Sequence, residues 1–119
     1  MSYPTCIIDV GTGFTKMGLA VNAIPQYMIP SYIGSRNQAT TTTITKKQGI
    51  EELDFLIGDE CLNSSKAYPP ERFMNHGIVS NWDLMEKFYE QCYYKYLRIN
   101  PEEYNVILVC IICCFYKSL

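Results

Sequence analysis

The segment CIIDVGTGFTKMGLA sets an acidic, a basic and a hydroxyl side chain around two glycines, between two apolar runs. Backbone N–H groups at Gly11, Thr12 and Gly13 can approach a phosphate chain closely, because glycine has no Cβ to obstruct the approach. Lys16 would add a positive charge, and Thr12 would add a hydroxyl. Asp9 would repel phosphate directly, so its expected role is to hold water around Mg²⁺ or Ca²⁺. These residue types permit a phosphate site, and they also permit a plain hairpin turn.

Two well-known phosphate-binding motifs are excluded at this turn. The sequence lacks the Gly-Lys-Ser/Thr ending of a P-loop. It also lacks the third glycine of the dinucleotide-binding fingerprint, and no helical pattern follows the second glycine. A phosphate site here would therefore lie on a turn between two strands.

The composition fits one globular domain and argues against several classes of function. The chain has 119 residues, of which 48% are hydrophobic. Charged residues make up only 18%, which indicates apolar surface that expects a partner or further chain. A net charge of −2 argues against nucleic acid as a partner. The first residues do not read as a secretory signal, and no apolar segment approaches the ~20 residues of a membrane helix.

The cysteines are most simply reduced, structural thiols, because no secretory signal accompanies them. They are Cys6, Cys61, Cys92, Cys110, Cys113 and Cys114. The last three contain one C-x-x-C spacing, but no second pair and no nearby histidine completes a four-ligand zinc site. Palmitoylation of Cys113 or Cys114 is conceivable, although stable lipid anchoring usually takes two signals. We expect no metal at these cysteines.

The first part of the chain has the pattern of strands and loops. Apolar and β-branched residues predict strands over residues 5–10 and 14–21, joined by the tight glycine turn. A third apolar run covers residues 25–34, and its internal proline limits any strand there. Residues 35–49 are polar and threonine-rich, which predicts a surface loop in which residues 42–45 allow a short strand. We predict ELDFLIGDE to be a short apolar segment and YPPERFMNHGI an irregular connection.

The clearest helix is predicted to begin near Asn81, where Ser80 or Asn81 can cap it. Acidic residues lie in the opening turns and basic residues near the end, as the helix dipole favours. Apolar residues recur at spacings of three and four, which predicts a core-facing side; they are Met85, Phe88, Cys92 and Tyr96. Asn100-Pro101 is predicted to stop the helix. The segment NVILV then has the pattern of a strand that is buried on both faces.

Several of these segments together resemble one known family. The stretch DVGTGFTKMGLA resembles the first phosphate loop of the actin superfamily, which also includes the Hsp70 ATPases and sugar kinases. The segments PQYMIPSYIG, FLIGDE, NHGIVSNWDLMEKF and YLRINPEEY follow in the order of the actin family. Within that family, ELDFLIGDE and WDLMEKFYEQ point to the actin-related proteins. The resemblance covers about residues 5–108.

The resemblance implies an α/β fold of the actin-like ATPase type, of which this chain would hold the N-terminal part. Residues 1–108 would form a partial domain with an incomplete sheet. Residues 31–75 would form its small subdomain above the nucleotide cleft, with residues 35–49 as an exposed interaction loop. Residues 109–119 depart from the family pattern and would be an apolar tail.

The resemblance also implies a cofactor, which is ATP with Mg²⁺. By motif, the residues that would line the phosphates are Asp9, Gly11, Thr12, Gly13, Phe14 and Lys16, with Asp9 reaching the metal through water. His76, in NHGIV, matches a family histidine near the cleft. We favour the alternative in which His76 only packs a loop, because a lone histidine is a weak signal.

The implied function is that of a structural subunit rather than an enzyme. Its expected partners are actin and the subunits of the actin-related protein 2/3 complex, which nucleates branched actin filaments in the cytoplasm and cytoskeleton. No catalytic residue is expected, because the second phosphate loop and the hydrolytic residues of the family are absent. The loss of the family pattern after Leu108 indicates a truncated, inactive fragment. Two alternatives are a fragment of another superfamily ATPase or kinase, and a short decoy that occupies actin-family partners.

Overall fold

The computed structural model describes residues 2–36 and 55–109. The strands are, in chain order, β1 (Thr5–Val10), β2 (Phe14–Leu19), β3 (Tyr27–Pro30), β4 (Ile33–Ser35), β5 (Phe55–Ile57), β6 (Pro70–Glu71), β7 (Met74–Asn75), β8 (Ile78–Val79) and β9 (Asn105–Val109). The helical elements are α1 (Gly58–Asn63), α2 (Trp82–Gln91), a π-helix (Cys92–Leu97) and a 3₁₀ turn (Pro101–Glu103).

The main sheet has four strands in the order β3-β2-β1-β9. β2 pairs antiparallel with both β1 and β3, whereas β9 pairs parallel with β1. A parallel pair needs a crossover connection, and the residues between β3 and β9 supply it. The predicted strands at 5–10 and 14–21 are confirmed, although the second ends at Leu19.

The two faces of the main sheet differ in their covering. Side chains alternate along each strand, so Cys6, Ile8 and Val10 share the face that is buried. Met85 and Phe88 of α2 belong to the same buried cluster as Ile8 and Val10, so α2 packs against that face. The Phe88 ring also lies 4.5 Å from the ring of Phe73, centroid to centroid. The opposite face is largely exposed.

The prediction that NVILV is buried on both faces is wrong. The segment is the strand β9, as predicted, but Ile107 is 49% exposed and Val109 is 45% exposed. Both residues lie on the side of the sheet that no helix or strand among the described residues covers, although residues 22–25 border it beside Val109. Uniformly apolar strands are typical of sheets with both faces covered, and the described residues cover only one face of this sheet.

The predicted helix is confirmed at its start and on its core-facing side. Asn81 is the cap, because its Oδ1 atom accepts a hydrogen bond from the N–H of Leu84 at 3.1 Å. Met85, Phe88 and Cys92 are buried, as the spacing predicts. The end differs, because the last turn is π-helical and stops at Leu97, before the predicted Asn100-Pro101.

A second, three-stranded sheet has the order β5-β4-β6 and follows β3 after only two residues. Gly34 lies in its central strand, where an added Cβ would come within 2.8 Å of the Sγ atom of Cys61. The assignment of residues 31–75 as a subdomain above a cleft stays a prediction.

Three details of this region correct the sequence analysis. The segment from residue 68 to 78 is not irregular, because it contributes β6, β7 and the start of β8. The residues after β5 form the short helix α1, whereas the sequence predicts only a short apolar segment there. Ser35 belongs to β4, while the rest of the predicted loop beyond residue 36, including the possible strand at 42–45, lies outside the described residues.

The described cysteines behave as buried apolar side chains. Cys6, Cys61 and Cys92 are free thiols with no exposed surface. Burial raises the pKa of all three thiols above its ordinary value, most strongly at Cys92. They are therefore poor nucleophiles, in line with a structural role. Cys110, Cys113 and Cys114 lie outside the described residues.

Candidate phosphate-binding turn

The turn between β1 and β2 closes through its own backbone. The N–H of Gly11 donates a hydrogen bond to the carbonyl oxygen of Phe14 at 3.0 Å. A Cβ atom on Gly11 would lie 2.7 Å from that same oxygen, which is closer than any side chain tolerates. The first glycine is therefore required by the fold of the turn itself.

Ser31, which directly follows β3, holds this turn from behind. Its N–H donates to the carbonyl oxygen of Gly13 at 2.9 Å, and its hydroxyl donates to the carbonyl oxygen of Gly11 at 2.7 Å. The hydroxyl of Thr15 lies 2.8 Å from the Ser31 oxygen and must be the donor there, because the Ser31 hydrogen is already used. Ser31 is 2% exposed and Thr15 is fully buried. Both turn carbonyls thus have fixed partners inside the protein.

The N–H groups of the turn are in a different situation. Within the described parts of the chain, the N–H groups of Thr12 and Gly13 have no protein acceptor. A Cβ on Gly13 would meet no atom within 4 Å, and its φ does not demand glycine. The space in front of Gly13 is therefore open, and a side chain there would fill it. This is the arrangement that a phosphate oxygen needs in order to reach backbone N–H donors.

A second turn contacts the first. His76 and Gly77 link β7 to β8 with φ angles of 50° and 77°, the signature of a type I′ hairpin turn. The N–H of Gly77 donates to the Oγ1 atom of Thr12 at 2.9 Å. The Thr12 hydroxyl keeps its own hydrogen and can still donate it to a ligand. His76 is exposed, so the prediction that it packs a loop is wrong; its neighbour Gly77 makes the contact instead.

The two predicted charged residues of the site face each other across the sheet. Asp9 on β1 is the register partner of Lys16 on β2. Phe14 lies on the same side of β2 as Lys16 and is 56% exposed. Among the described residues, the Asp9 carboxylate and the Lys16 ammonium form no ion pair within 4 Å. Both groups are thus free to meet other charges.

A cavity of about 310 Å³ opens beside this charged pair. It is lined by Asp9 and Lys16 together with apolar residues of β1 and β2, residues 22–25 and Val109. It lies over the exposed face of the sheet on the side of the β2–β3 connection, and none of residues 10–15 lines it, so it does not include the glycine turn. In the described residues, no group of three or more histidine, cysteine or acidic side chains could hold a metal ion.

Three residues of this site are absent from the sequence-based prediction. Ser31, Thr15 and Gly77 position the turn by hydrogen bonds to residues that are distant in the chain. The only local signal was a serine directly after a strand-ending proline, which does not reveal its acceptor.

Comparison with known sequences identifies the family of this chain. A sequence model of the actin family, described as Actin, matches residues 2–111. The chain belongs to the actin family. The predicted resemblance and the incomplete actin-like α/β fold are thereby confirmed.

Three curated relatives of this actin-family chain carry the same protein name. Actin-related protein 3 of Drosophila melanogaster is 48% identical over 110 residues, which are 88% of this chain and 26% of the relative. Proteins of the same name from Dictyostelium discoideum and Caenorhabditis elegans are 42% identical over 106 residues and 45% over 113. These cover 88% of this chain in each case, and 25% and 27% of the relatives. The chain thus spans about a quarter of the length of the curated relatives it matches. No described helix is long and apolar enough to cross a membrane.

Proposed function

We propose that the chain supplies one wall of an ATP–Mg²⁺ site in an actin-related, structural subunit. The observation that carries this proposal is the asymmetry of the glycine turn. The carbonyls of Gly11 and Gly13 are bound by Ser31, whereas the N–H groups of Thr12 and Gly13 have no acceptor among the described residues, and the space in front of Gly13 is open. Free backbone N–H groups bind anions, and a nearby cation strengthens the binding.

Each residue of the turn has a separate role in the proposed nucleotide site. Thr12 and Gly13 donate N–H groups to phosphate oxygens, and the Thr12 hydroxyl adds a third donor. Lys16, on β2, neutralises the negative charge of the phosphates, and Phe14 lies next to Lys16 on the same side of β2. Asp9 orients water around Mg²⁺, which keeps several waters when it binds together with phosphates. In a complete cleft, both halves of the protein would contact the charged phosphates of the bound nucleotide.

The chain by itself acts as a binding element and not as an enzyme. A nucleotide that contacts one wall has water on its other side, so neither tight binding nor an aligned attacking water is expected. The working protein then requires the further chain that the longer relatives carry. In that form its partners are actin and the actin-related protein 2/3 complex, and its place is the cytoplasmic actin cytoskeleton, where branched filaments are nucleated. The name of the matched relatives supports this part of the proposal.

Nucleotide binding is tested by titrating the ¹⁵N-labelled chain with Mg-ATP and following the amide signals. The shifts should saturate and concentrate at residues 11–14, with a weak dissociation constant of about 1 mM. Lys16→Ala should weaken binding by roughly tenfold, whereas Lys87→Ala, which removes the same charge from α2, should not change it. Shifts spread over the surface, or equal effects of the two variants, would refute the phosphate site.

Membership of a filament-branching complex needs a separate experiment in cells. A tagged chimera would carry residues 1–109 of this chain followed by the remaining sequence of the Drosophila relative. Mass spectrometry of the purified chimera should identify the subunits of the actin-related protein 2/3 complex. If the folded chimera purifies without them, the proposed role as a branching subunit is wrong, even if its ATP binding is intact.

A further inference from the structure

Arg72 and Tyr32 form a surface pair that the proposed nucleotide site does not use. The Nε and Nη2 groups of Arg72 both donate hydrogen bonds to the hydroxyl oxygen of Tyr32, at 3.1 Å and 2.7 Å. The guanidinium also lies 4.9 Å from the centre of the Tyr32 ring. Arg72 is exposed and Tyr32 is half-buried, and both hydrogen bonds lie at the surface. The fold brings together two residues that are 40 positions apart in the chain.

The hydroxyl of Tyr32 is a poor match for the donors of Arg72. A planar guanidinium with two parallel N–H donors suits the two oxygens of a carboxylate or phosphate. The Tyr32 hydroxyl offers a single neutral oxygen to both donors. Within residues 2–36 and 55–109, Arg72 forms no ion pair within 4 Å. A group on Tyr32 with two or more anionic oxygens would therefore match Arg72 better than the hydroxyl does.

A phosphate attached to Tyr32 meets this requirement more readily than a free anion. A free anion would have to displace the Tyr32 hydroxyl from Arg72, whereas a phosphate on that hydroxyl is held beside the guanidinium by its covalent bond. A phosphotyrosine carries a charge of about −1.5 to −2 at neutral pH and offers three acceptor oxygens. Arg72 is exposed, so its guanidinium has room to move with the larger group.

The position of Tyr32 allows a modification to affect more than one side chain. Ser31 and Tyr32 form the connection between β3 and β4 and lie outside both strands. The carbonyl oxygen of Tyr32 accepts a hydrogen bond from the N–H of Gly58, at the start of α1, at 3.0 Å. Arg72 directly follows β6. A stronger bond between a modified Tyr32 and Arg72 would thus fix this connection against the three-stranded sheet.

We propose that Tyr32 is a site of tyrosine phosphorylation and that Arg72 binds the phosphate. A tyrosine kinase would transfer the terminal phosphoryl group of ATP to the Oη atom of Tyr32. The bond between that phosphorus and the oxygen of ADP breaks, a bond between phosphorus and Oη forms, and the phenolic proton passes to the kinase or to water. The proposal uses the Tyr32–Arg72 pair alone, and it does not depend on nucleotide binding by the glycine turn.

The first experiment asks whether a kinase modifies Tyr32 in the whole chain. We would choose a tyrosine kinase that phosphorylates the synthetic peptide MIPSYIGSR, residues 28–36, in which Tyr32 is the only tyrosine. The full 119-residue chain is then incubated with this kinase and Mg-ATP, and mass spectrometry identifies the modified residues. Phosphate should appear on Tyr32. If the peptide is modified but Tyr32 of the chain is not, the proposal is wrong.

The second experiment measures whether Arg72 holds the phosphate. Phosphotyrosine is introduced at residue 32 of the full chain during translation, and its removal by a tyrosine phosphatase is followed with time. A phosphate bound to Arg72 is withheld from the phosphatase, so hydrolysis should be roughly fivefold slower in the parent chain than in Arg72→Gln. Arg72→Lys keeps the charge but loses the paired donors, and its rate should lie between the two.

Arg98→Gln is the matched control, because it removes the same charge from an exposed arginine at the end of the π-helix. Its hydrolysis rate should equal that of the parent chain. Equal rates in the parent chain and Arg72→Gln, or the same acceleration in Arg98→Gln, would overturn the proposal.

One further readout needs no substitution and so does not depend on how the variants fold. The NMR signal of the Arg72 Nε–H proton should move downfield when Tyr32 carries phosphate, because its acceptor becomes charged. A signal that does not move would show that Arg72 does not bind the phosphate.

Discussion

Two turns meet at one hydrogen bond, and their shapes have different origins. The turn from Gly11 to Gly13 is closed by its own backbone and is also fixed from outside, because Ser31 binds two of its carbonyls. The turn at His76 and Gly77 is shaped from within, since two positive φ angles match the twist of its hairpin. In the first turn the carbonyls are the bonded groups, so the N–H groups of Thr12 and Gly13 stay available. In the second turn the N–H of Gly77 donates to Thr12 of the first turn. The contrast is the reason why we propose the first turn as the binding element and the second as its support.

The largest expected effect comes from Gly11→Ala, which attacks the externally held turn at its tightest point. The new Cβ would lie 2.7 Å from the Phe14 carbonyl oxygen. No side-chain rotation can relieve this clash, because the position of each atom is set by the backbone. We expect the free energy of unfolding to fall by about 3 kcal/mol. Urea denaturation with a fixed m-value measures the loss. A loss below about 0.5 kcal/mol, the size of ordinary surface changes, would contradict this view of the turn.

Ser31→Ala should have the second-largest effect, because it removes the support from behind. The carbonyl oxygen of Gly11 and the hydroxyl of Thr15 would both lose their partner in a buried place. A loss of about 2 kcal/mol in the free energy of unfolding is expected. Ser35→Ala, at an exposed serine in β4, is the matched control and should cost almost nothing. Equal effects of the two substitutions would mean that Ser31 does not hold the turn.

Thr12→Val tests the hydrogen bond that joins the two turns. Valine has nearly the same shape but no acceptor, so the N–H of Gly77 would lose its partner. We expect a loss of about 1 kcal/mol and faster amide exchange at Gly77. Thr12→Ser keeps the hydroxyl and should preserve the slow exchange. The link between the turns would be refuted if Gly77 exchanged at the same rate in both variants.

Gly13→Ala should have the smallest effect on stability and the clearest effect on binding. Its Cβ would enter open space, so the free energy of unfolding should change by less than about 0.5 kcal/mol. The methyl group would nevertheless stand where a phosphate is expected, and Mg-ATP binding should weaken by about tenfold. Unchanged ATP binding in the ¹⁵N titration would show that this glycine does not serve a ligand.

The sequence was most informative where structure depends on neighbours in the chain. The strands at residues 5–10 and 14–19, the cap at Asn81 and the apolar side of α2 all follow from local spacing and capping chemistry. The family assignment also followed from the order of short motifs. These features need no knowledge of distant residues.

The missing features depend on contacts between distant segments. Ser31 reaches Gly11 across 20 residues, and Gly77 reaches Thr12 across 65, so no local pattern identifies either bond. β6, β7 and β8 have two residues each and exist because of their pairing partners. The apolar pattern of β9 predicts burial on both faces, but the exposure of Ile107 depends on which distant segments cover the sheet, and no local pattern reports that.

The position of Ser31 also has a consequence for regulation. Ser31 and Tyr32 alone connect β3 of the main sheet to β4 of the small sheet, and Ser31 is the residue that binds the glycine turn. A displacement of the small sheet relative to the main sheet would therefore pull on the same carbonyls that fix the turn. Thermodynamic linkage is reciprocal: if a nucleotide distinguishes two positions of the turn, a protein that grips the small sheet changes the affinity for nucleotide by the same factor. If the proposed nucleotide site exists, this two-residue linker would thus allow a protein bound to the small sheet to change the affinity for a ligand that it does not contact.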